Sequence, residues 1–202
     1  MPTESTTRPY TKRRRAQAEA ETRQRIAEAA MRLHGSVGPA RTTISAVAEE
    51  AGVQRATVYR HFPTEEELFG ACSAHWASLY PPPDAGSWAV VSNPDERLRK
   101  GLADLYAWYG SDEQMFVNTR RDATLAPAMA PTVERVRAGI AAMVDTLMKG
   151  RPERGRRRRR VLGAIRHATA FGTWYSLTRE GELSDDEAIE AMLGAVAAAG
   201  RG

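Results

Sequence analysis

The twenty residues from Thr43 to Phe62 impose a geometry that few folds satisfy. Ala48 is small where two helices must approach closely. Gly52, four residues later, can take the left-handed conformation of a tight turn, and Val47, Val53 and Val58 fall at buried spacer positions. This spacing reads as a helix-turn-helix, whose second helix fits the major groove of DNA. The polar run Gln54, Arg55, Thr57, Tyr59, Arg60 and His61 is what such a helix would present. An ordinary helical hairpin is the competing reading of the same spacing.

Charge supports the first reading. Net charge over the 202 residues is only +4, yet residues 1–62 carry 11 Lys/Arg against 6 Asp/Glu, whereas residues 63–202 carry 18 against 19. The basic end is the end with the motif. A hydrophobic content of 42% suffices for packed cores without disulfide or metal staples. The single Cys72 cannot form an intrachain disulfide and the N-terminus shows no apolar leader, so a cytoplasmic location is expected. No apolar run approaches the roughly 18 residues of a membrane span.

Along the chain, helical periodicity is the only regular pattern, and the fold class is all-α. Residues 1–18, ending in Lys12-Arg13-Arg14-Arg15, read as a basic flexible arm. Ile26, Ala29, Ala30 and Leu33 place an amphipathic helix over 19–35. Thr43 caps a helix reaching Ala51, and Thr64 caps a fourth helix to Leu79 with Glu67 as capping-box partner. Residues 19–79 thus form a three-helix head with a connecting helix. Pro81-Pro82-Pro83 through Asn93-Pro94 read as a linker opening a helical body over 80–202. In that body the spacing predicts helices at 95–109, 113–123, 133–147, 157–180 and 184–199, about nine in the whole chain.

Residues 24–69 resemble the tetracycline-repressor (TetR) family of bacterial transcriptional regulators. Thr43, Ala48, Ala51-Gly52-Val53, Thr57-Val58-Tyr59-Arg60-His61-Phe62 and Glu67-Leu68-Phe69 carry the likeness; beyond Leu79 only helix count and length agree. The resemblance implies a recognition helix in the major groove, a homodimer through the last two helices, and a small-molecule effector bound in the body that releases the DNA operator. It makes Thr43, Thr57, Tyr59 and His61 the contacts to the DNA backbone. Gln54, Arg55, Ala56 and Arg60 take the positions that reach base edges, where arginine pairs with guanine O6 and N7 and alanine can touch a thymine methyl. Many members carry a lysine after the turn following Phe62, whereas this chain has Glu65. The basic arm at Lys12 to Arg15 could compensate by reaching the minor groove, as such arms do elsewhere.

Within the body, a helix over 157–180 would sort Ile165, Ala168, Thr169, Gly172 and Ser176 onto one face and His167, Ala170, Phe171, Trp174 and Thr178 onto the other. The small face, with Ile189, Met192, Leu193 and Val196 of the last helix, suits a contact between two copies or packing within one. The aromatic face, together with Tyr106, Trp108, Met115, Phe116, Asn118, Arg121 and Met143, could wall a pocket for a partly aromatic ligand. Arg156 to Arg160 are consecutive, so at about 100° per residue they point all round a helix and read as a solvated start. No Gly-x-Ser-x-Gly, His-Glu-x-x-His, Cys-x-x-Cys or Gly-rich phosphate loop is present, and the four histidines lack metal-ligand spacing, so no enzyme activity, metal or cofactor is expected. A constitutive DNA-binding or architectural protein without ligand control is the alternative.

Overall fold

The computed structural model describes residues 7–201, with side chains from residue 12 onward. Among these residues the chain is helical, without strands, in eleven α-helical segments. It divides into two compact units, residues 1–78 with 117–132 and residues 79–116 with 133–202. The first unit is therefore discontinuous, unlike a simple split at residue 79.

In the first unit, α1 (Thr7–Ser36) is far longer than the 19–35 segment the periodicity predicts. Residues 7–18 of the expected flexible arm are helical, and residues 1–6 lie outside the described residues. Ala16, Gln17, Ala18, Glu19, Ala20 and Glu21 are strong helix formers, and Gln17 donates to Glu21 one turn on at 3.1 Å. Residues 12–21 are exposed, so this extension is held by local propensity. Further on, Ile26, Ala27, Ala29 and Ala30 are buried against Val47 and Ala48 of α2 (Ile44–Glu50), Val58 of α3 (Arg55–His61), and Leu68 and Cys72 of α4 (Glu65–Leu79). Thr64 caps α4 as expected, its hydroxyl accepting the Glu67 N–H at 3.2 Å.

The end of α1 explains the discontinuous unit. Helix α7 (Glu113–Asp122) carries Asn118, Arg121 and Asp122 on one side, at i, i+3 and i+4. Asn118 donates to the His34 and Gly35 carbonyls at 3.0 and 2.8 Å, and Arg121 donates to the Val37 carbonyl at 3.0 Å. The Asp122 carboxylate accepts the Ala40 N–H at 3.0 Å and is held by Arg121 at 2.7 Å. These are the carbonyls a helix leaves unpaired at its C-terminus. Asn118→Ala is expected to cost about 1–3 kcal/mol, because one buried and one half-buried acceptor lose their donor. A chemical denaturation midpoint equal to that of the native chain would refute the assignment.

The second unit begins where the linker was expected. Asp84 caps a short helix, α5 (Ala85–Ala89), accepting the Gly86 N–H at 2.8 Å. That helix buries Trp88 completely, with its indole N–H donated to Asp104 at 2.7 Å. Trp88 packs on α6 (Pro94–Ser111), whose Leu98, Leu102, Leu105 and Tyr109 share one buried face. At Gly101 an added Cβ would lie 2.7 Å from the side-chain end of Leu147 in α8 (Ala130–Leu147), which would have to shift.

The predicted helix over 157–180 is broken. Helix α9 (Gly155–Ala168) ends at Thr169, and α10 (Phe171–Tyr175) and a π-helical turn (Ser176–Glu180) follow before α11 (Asp185–Arg201). Thr169 turns its hydroxyl back onto the Ile165 carbonyl at 3.0 Å, while Tyr106 and Tyr109 donate to the Ala168 and Thr169 carbonyls at 2.9 and 2.7 Å. The two tyrosine hydroxyls thus take up carbonyls that a continuing helix would pair, while the Ile165 carbonyl keeps the Thr169 N–H at 2.9 Å. Helices α5 and α10 account for the two segments beyond the expected nine. The break also separates the two faces drawn along 157–180, since the 100° period no longer runs through it. Ile165 and Ala168 are buried in the same core as Ile189 and Val196 of α11, with Met192 and Leu193 packed alongside. Those stripes meet within one chain.

Candidate nucleic-acid interface

Thr43 precedes α2 in extended conformation, and its hydroxyl accepts the Ala46 N–H at 3.1 Å. The helix ends at Ala51, and Gly52 turns the chain with φ 65°. Nothing lies within 4 Å of a Cβ built there, so it is backbone conformation that calls for glycine. Val53 N–H then returns to the Ala48 carbonyl at 2.9 Å, and Gln54 starts α3. Val47, Val58 and Phe62 are buried beneath.

Their burial fixes which residues of α3 look outward. Gln54, Arg55, Ala56, Tyr59 and Arg60 are exposed, and Thr57 is half-buried. Arg55 and Tyr59, one turn apart, are joined: the guanidinium donates to the phenol oxygen at 3.2 Å and lies 5.6 Å from the ring centroid. That hydrogen bond raises the Arg55 pKa further above its ordinary value, so the side chain stays cationic.

His61 is the exception among the expected backbone contacts. It is only 7% exposed and shares the packed side of α3 with Val58, three residues earlier. Its carbonyl accepts from Arg23 of α1, whose guanidinium covers the Phe62 ring at 4.0 Å. Arg23 thereby ties α1 to the end of α3, and nothing in the sequence sets it apart from Arg25. Glu65, Glu66 and Glu67 are exposed in the first turn of α4, where the helix dipole favours carboxylates.

The residues expected around an effector are distributed differently. Phe116, Phe171 and Trp174 do come together: Phe116 stacks on Phe171 at 5.3 Å and Phe171 meets Trp174 at 5.5 Å. Tyr109, not among the residues expected around an effector, touches all three edge-on or tilted. Trp174 is fully buried and donates its indole N–H to Asp185 at 2.8 Å. Tyr106 is fully buried too, and Met143 lies in the same core. Burial pushes both tyrosine phenols above their ordinary pKa. Met115 is half-buried, and His167 is exposed with Thr173 3.3 Å away. Asn118 and Arg121 instead serve the end of α1 in the first unit.

Comparison with known proteins agrees with this geometry. The profile of bacterial regulatory proteins of the tetR family matches residues 26–72, the stretch from the buried part of α1 through α2 and α3 into α4. The uncharacterized HTH-type transcriptional regulator TtgW of Pseudomonas putida is 33% identical over 119 residues, covering 53% of this chain and 89% of that protein. The chain belongs to the TetR family. The HTH-type transcriptional regulator SrpR of Pseudomonas putida is also 33% identical over 119 residues, 53% of this chain and 56% of its own length. The chain thus spans little more than half of SrpR. A TetR transcription regulator from Haloarcula marismortui shares the fold, with a TM-score of 0.57 at 16% identity over 90% of this chain and 97% of its own. This TetR-family chain is a DNA-binding transcriptional regulator and not an enzyme. Among the described residues no helix is long and apolar enough to cross a membrane.

Proposed function

We propose that this regulator is a cytoplasmic repressor that binds a pseudo-palindromic operator as a homodimer and leaves it when a small apolar or aromatic effector binds the second unit. The outward face of α3 supports the first part. Arg55 and Arg60 supply donors for base edges, Ala56 an apolar contact, and Gln54 an amide for either role. Thr43, Thr57 and Tyr59 place hydroxyls for phosphate oxygens. Two such helices need a two-fold dimer. The stripes that the sequence offers for that contact are internal, so it falls to the other sides of α9 and α11, where Gly163, Ala191, Gly194, Ala195 and Ala198 are exposed.

Fluorescence anisotropy on DNA flanking the protein's own gene, followed by a small-molecule screen for release, tests this reading. Arg55→Ala should lose about 1–3 kcal/mol on the operator at one defined position, whereas Tyr59→Phe should weaken all duplexes alike. Equal losses for Arg55→Ala on operator and random DNA would remove it from base reading. Constitutive DNA binding is the second reading, and the closed aromatic cluster favours it. Tyr106, Tyr109 and Trp174 already spend their polar tips on protein partners, so an effector there must part rings now in contact. Phe171 is only half-buried, which makes Phe171→Ala the variant to examine for altered release.

A further inference from the structure

Helix α3 has only seven residues, and its two ends are held by different means. At its start, the turn at Gly52 and the bond from Val53 N–H to the Ala48 carbonyl tie it to α2. At its end, the Phe62 N–H pairs with the Val58 carbonyl, but Pro63 has no N–H to offer the Tyr59 carbonyl. Val58 and Phe62 are buried in the core of the head. Apolar burial is non-directional, so it does not by itself fix how so short a helix is rotated.

Arg23 of α1 supplies the direction. It stands three and four residues before the buried Ile26 and Ala27, so its stem leaves α1 on the side that packs on the head. Its Nη1 donates to the His61 carbonyl, the last of α3, where the helix dipole favours a cation. The same planar group covers the Phe62 ring at 4.0 Å from the centroid, so one rigid side chain grips the end of α3 by an oxygen and by a ring face. Glu19, one turn earlier on the same side of α1, also acts on the His61 ring. Arg25, two residues on, is turned about 200° round the helix and points elsewhere.

We propose that Arg23 is a positioning residue for base recognition: by holding the end of α3 in one orientation, it sets how well Arg55 and Arg60 align with base edges. The proposal rests on the reading of α3 as the helix that contacts bases. Recognition of that kind needs groups held to about 0.5 Å and 10–20°, which a two-point grip on the helix end provides. Binding to random DNA is carried by phosphate charge and tolerates a looser helix. Arg23 is itself exposed, so water competes for its hydrogen bond and its share in the stability of the head is small. Its effect falls on sequence preference instead.

Anisotropy titrations of the full chain with two duplexes test this: the sequence that the native chain selects from a random pool, and the same sequence scrambled. Arg23→Gln should lower the preference between them about tenfold, within the range of one lost base contact. Its affinity for the scrambled duplex and its salt slope should match those of Arg25→Gln, which removes an equal charge and should keep the preference. Arg23→Lys retains the charge without the planar fork and should not restore the preference. Partial unfolding does not mimic this result, because a smaller folded fraction weakens both duplexes by the same factor and leaves their ratio unchanged. Full preference in Arg23→Gln overturns the proposal. Recovery by Arg23→Lys, or a salt slope flattened by about 0.9 in Arg23→Gln alone, also overturns it and marks a direct phosphate contact. Arg55→Ala separates the proposal from the reading beneath it: if that variant too keeps full preference, α3 does not read bases and both fall.

Discussion

Trp174→Ala is expected to lower the unfolding free energy by about 3–5 kcal/mol, the range for emptying a fully buried aromatic site. The side chain has no exposed surface, and Tyr109 and Phe171 pack on it with ring centroids at 5.9 and 5.5 Å. Its removal also strips Asp185, at the first turn of α11, of the indole donor at 2.8 Å. For a chain of this size each kcal/mol moves the thermal midpoint by about 2–4 °C, so a drop of roughly 6–20 °C is expected by calorimetry. Trp174→Phe keeps most of the volume and should recover part of it. A midpoint within about two degrees of the native chain would mean that the neighbours collapse into the space.

Acid is expected to weaken the first unit through His34. The ring is buried, stacks on Phe69 at 5.0 Å and sets Nδ1 3.3 Å from the Cys72 sulfur. Burial lowers its pKa from 6.5 to about 4, against a smaller opposing pull from Asp122. Between those values the unfolded chain takes up a proton that the folded chain refuses, so stability falls as pH drops from about 6.5 toward 4 and levels off below. The full difference is roughly 3 kcal/mol. His61 shifts in the same direction, mainly by burial, and the carboxyl of Asp122 is lowered by Arg121, so its own loss comes only at lower pH. Urea melts at pH 7 and 4.5 isolate His34 when set beside His34→Phe, whose dependence on pH should be clearly shallower. Identical slopes for the two proteins would contradict the assignment.

Features with local causes are the ones legible in the sequence. Gly52 needs a positive φ, Thr43 and Thr64 each cap the helix they precede, and Leu98, Leu102 and Leu105 recur at the helical period. Each can be read within one or two turns of chain. The features that escape such reading mostly involve partners distant in sequence. Asn118 and Arg121 are polar residues near aromatics whether they meet an effector or a helix end, and only the fold shows that their acceptors lie more than eighty residues earlier. The break at Thr169 depends on two hydroxyls from Tyr106 and Tyr109, so a periodicity argument runs straight through it. His61 follows two outward residues, Tyr59 and Arg60, and yet one further step along a helix is enough to turn it inward.

The discontinuity of the first unit bears on the order in which the protein is made. During synthesis α1 to α4 emerge first, yet the carbonyls of His34, Gly35 and Val37 and the amide of Ala40 wait for Asn118, Arg121 and Asp122. At ribosomal rates of about 5–20 residues per second, that gap is roughly 2–9 s in which the nascent head exists without its final hydrogen bonds. Helix α6 is translated within the same interval. A recognition helix that leaves the ribosome early is therefore completed late, after the first segment of the second unit, residues 79–116, has already been made.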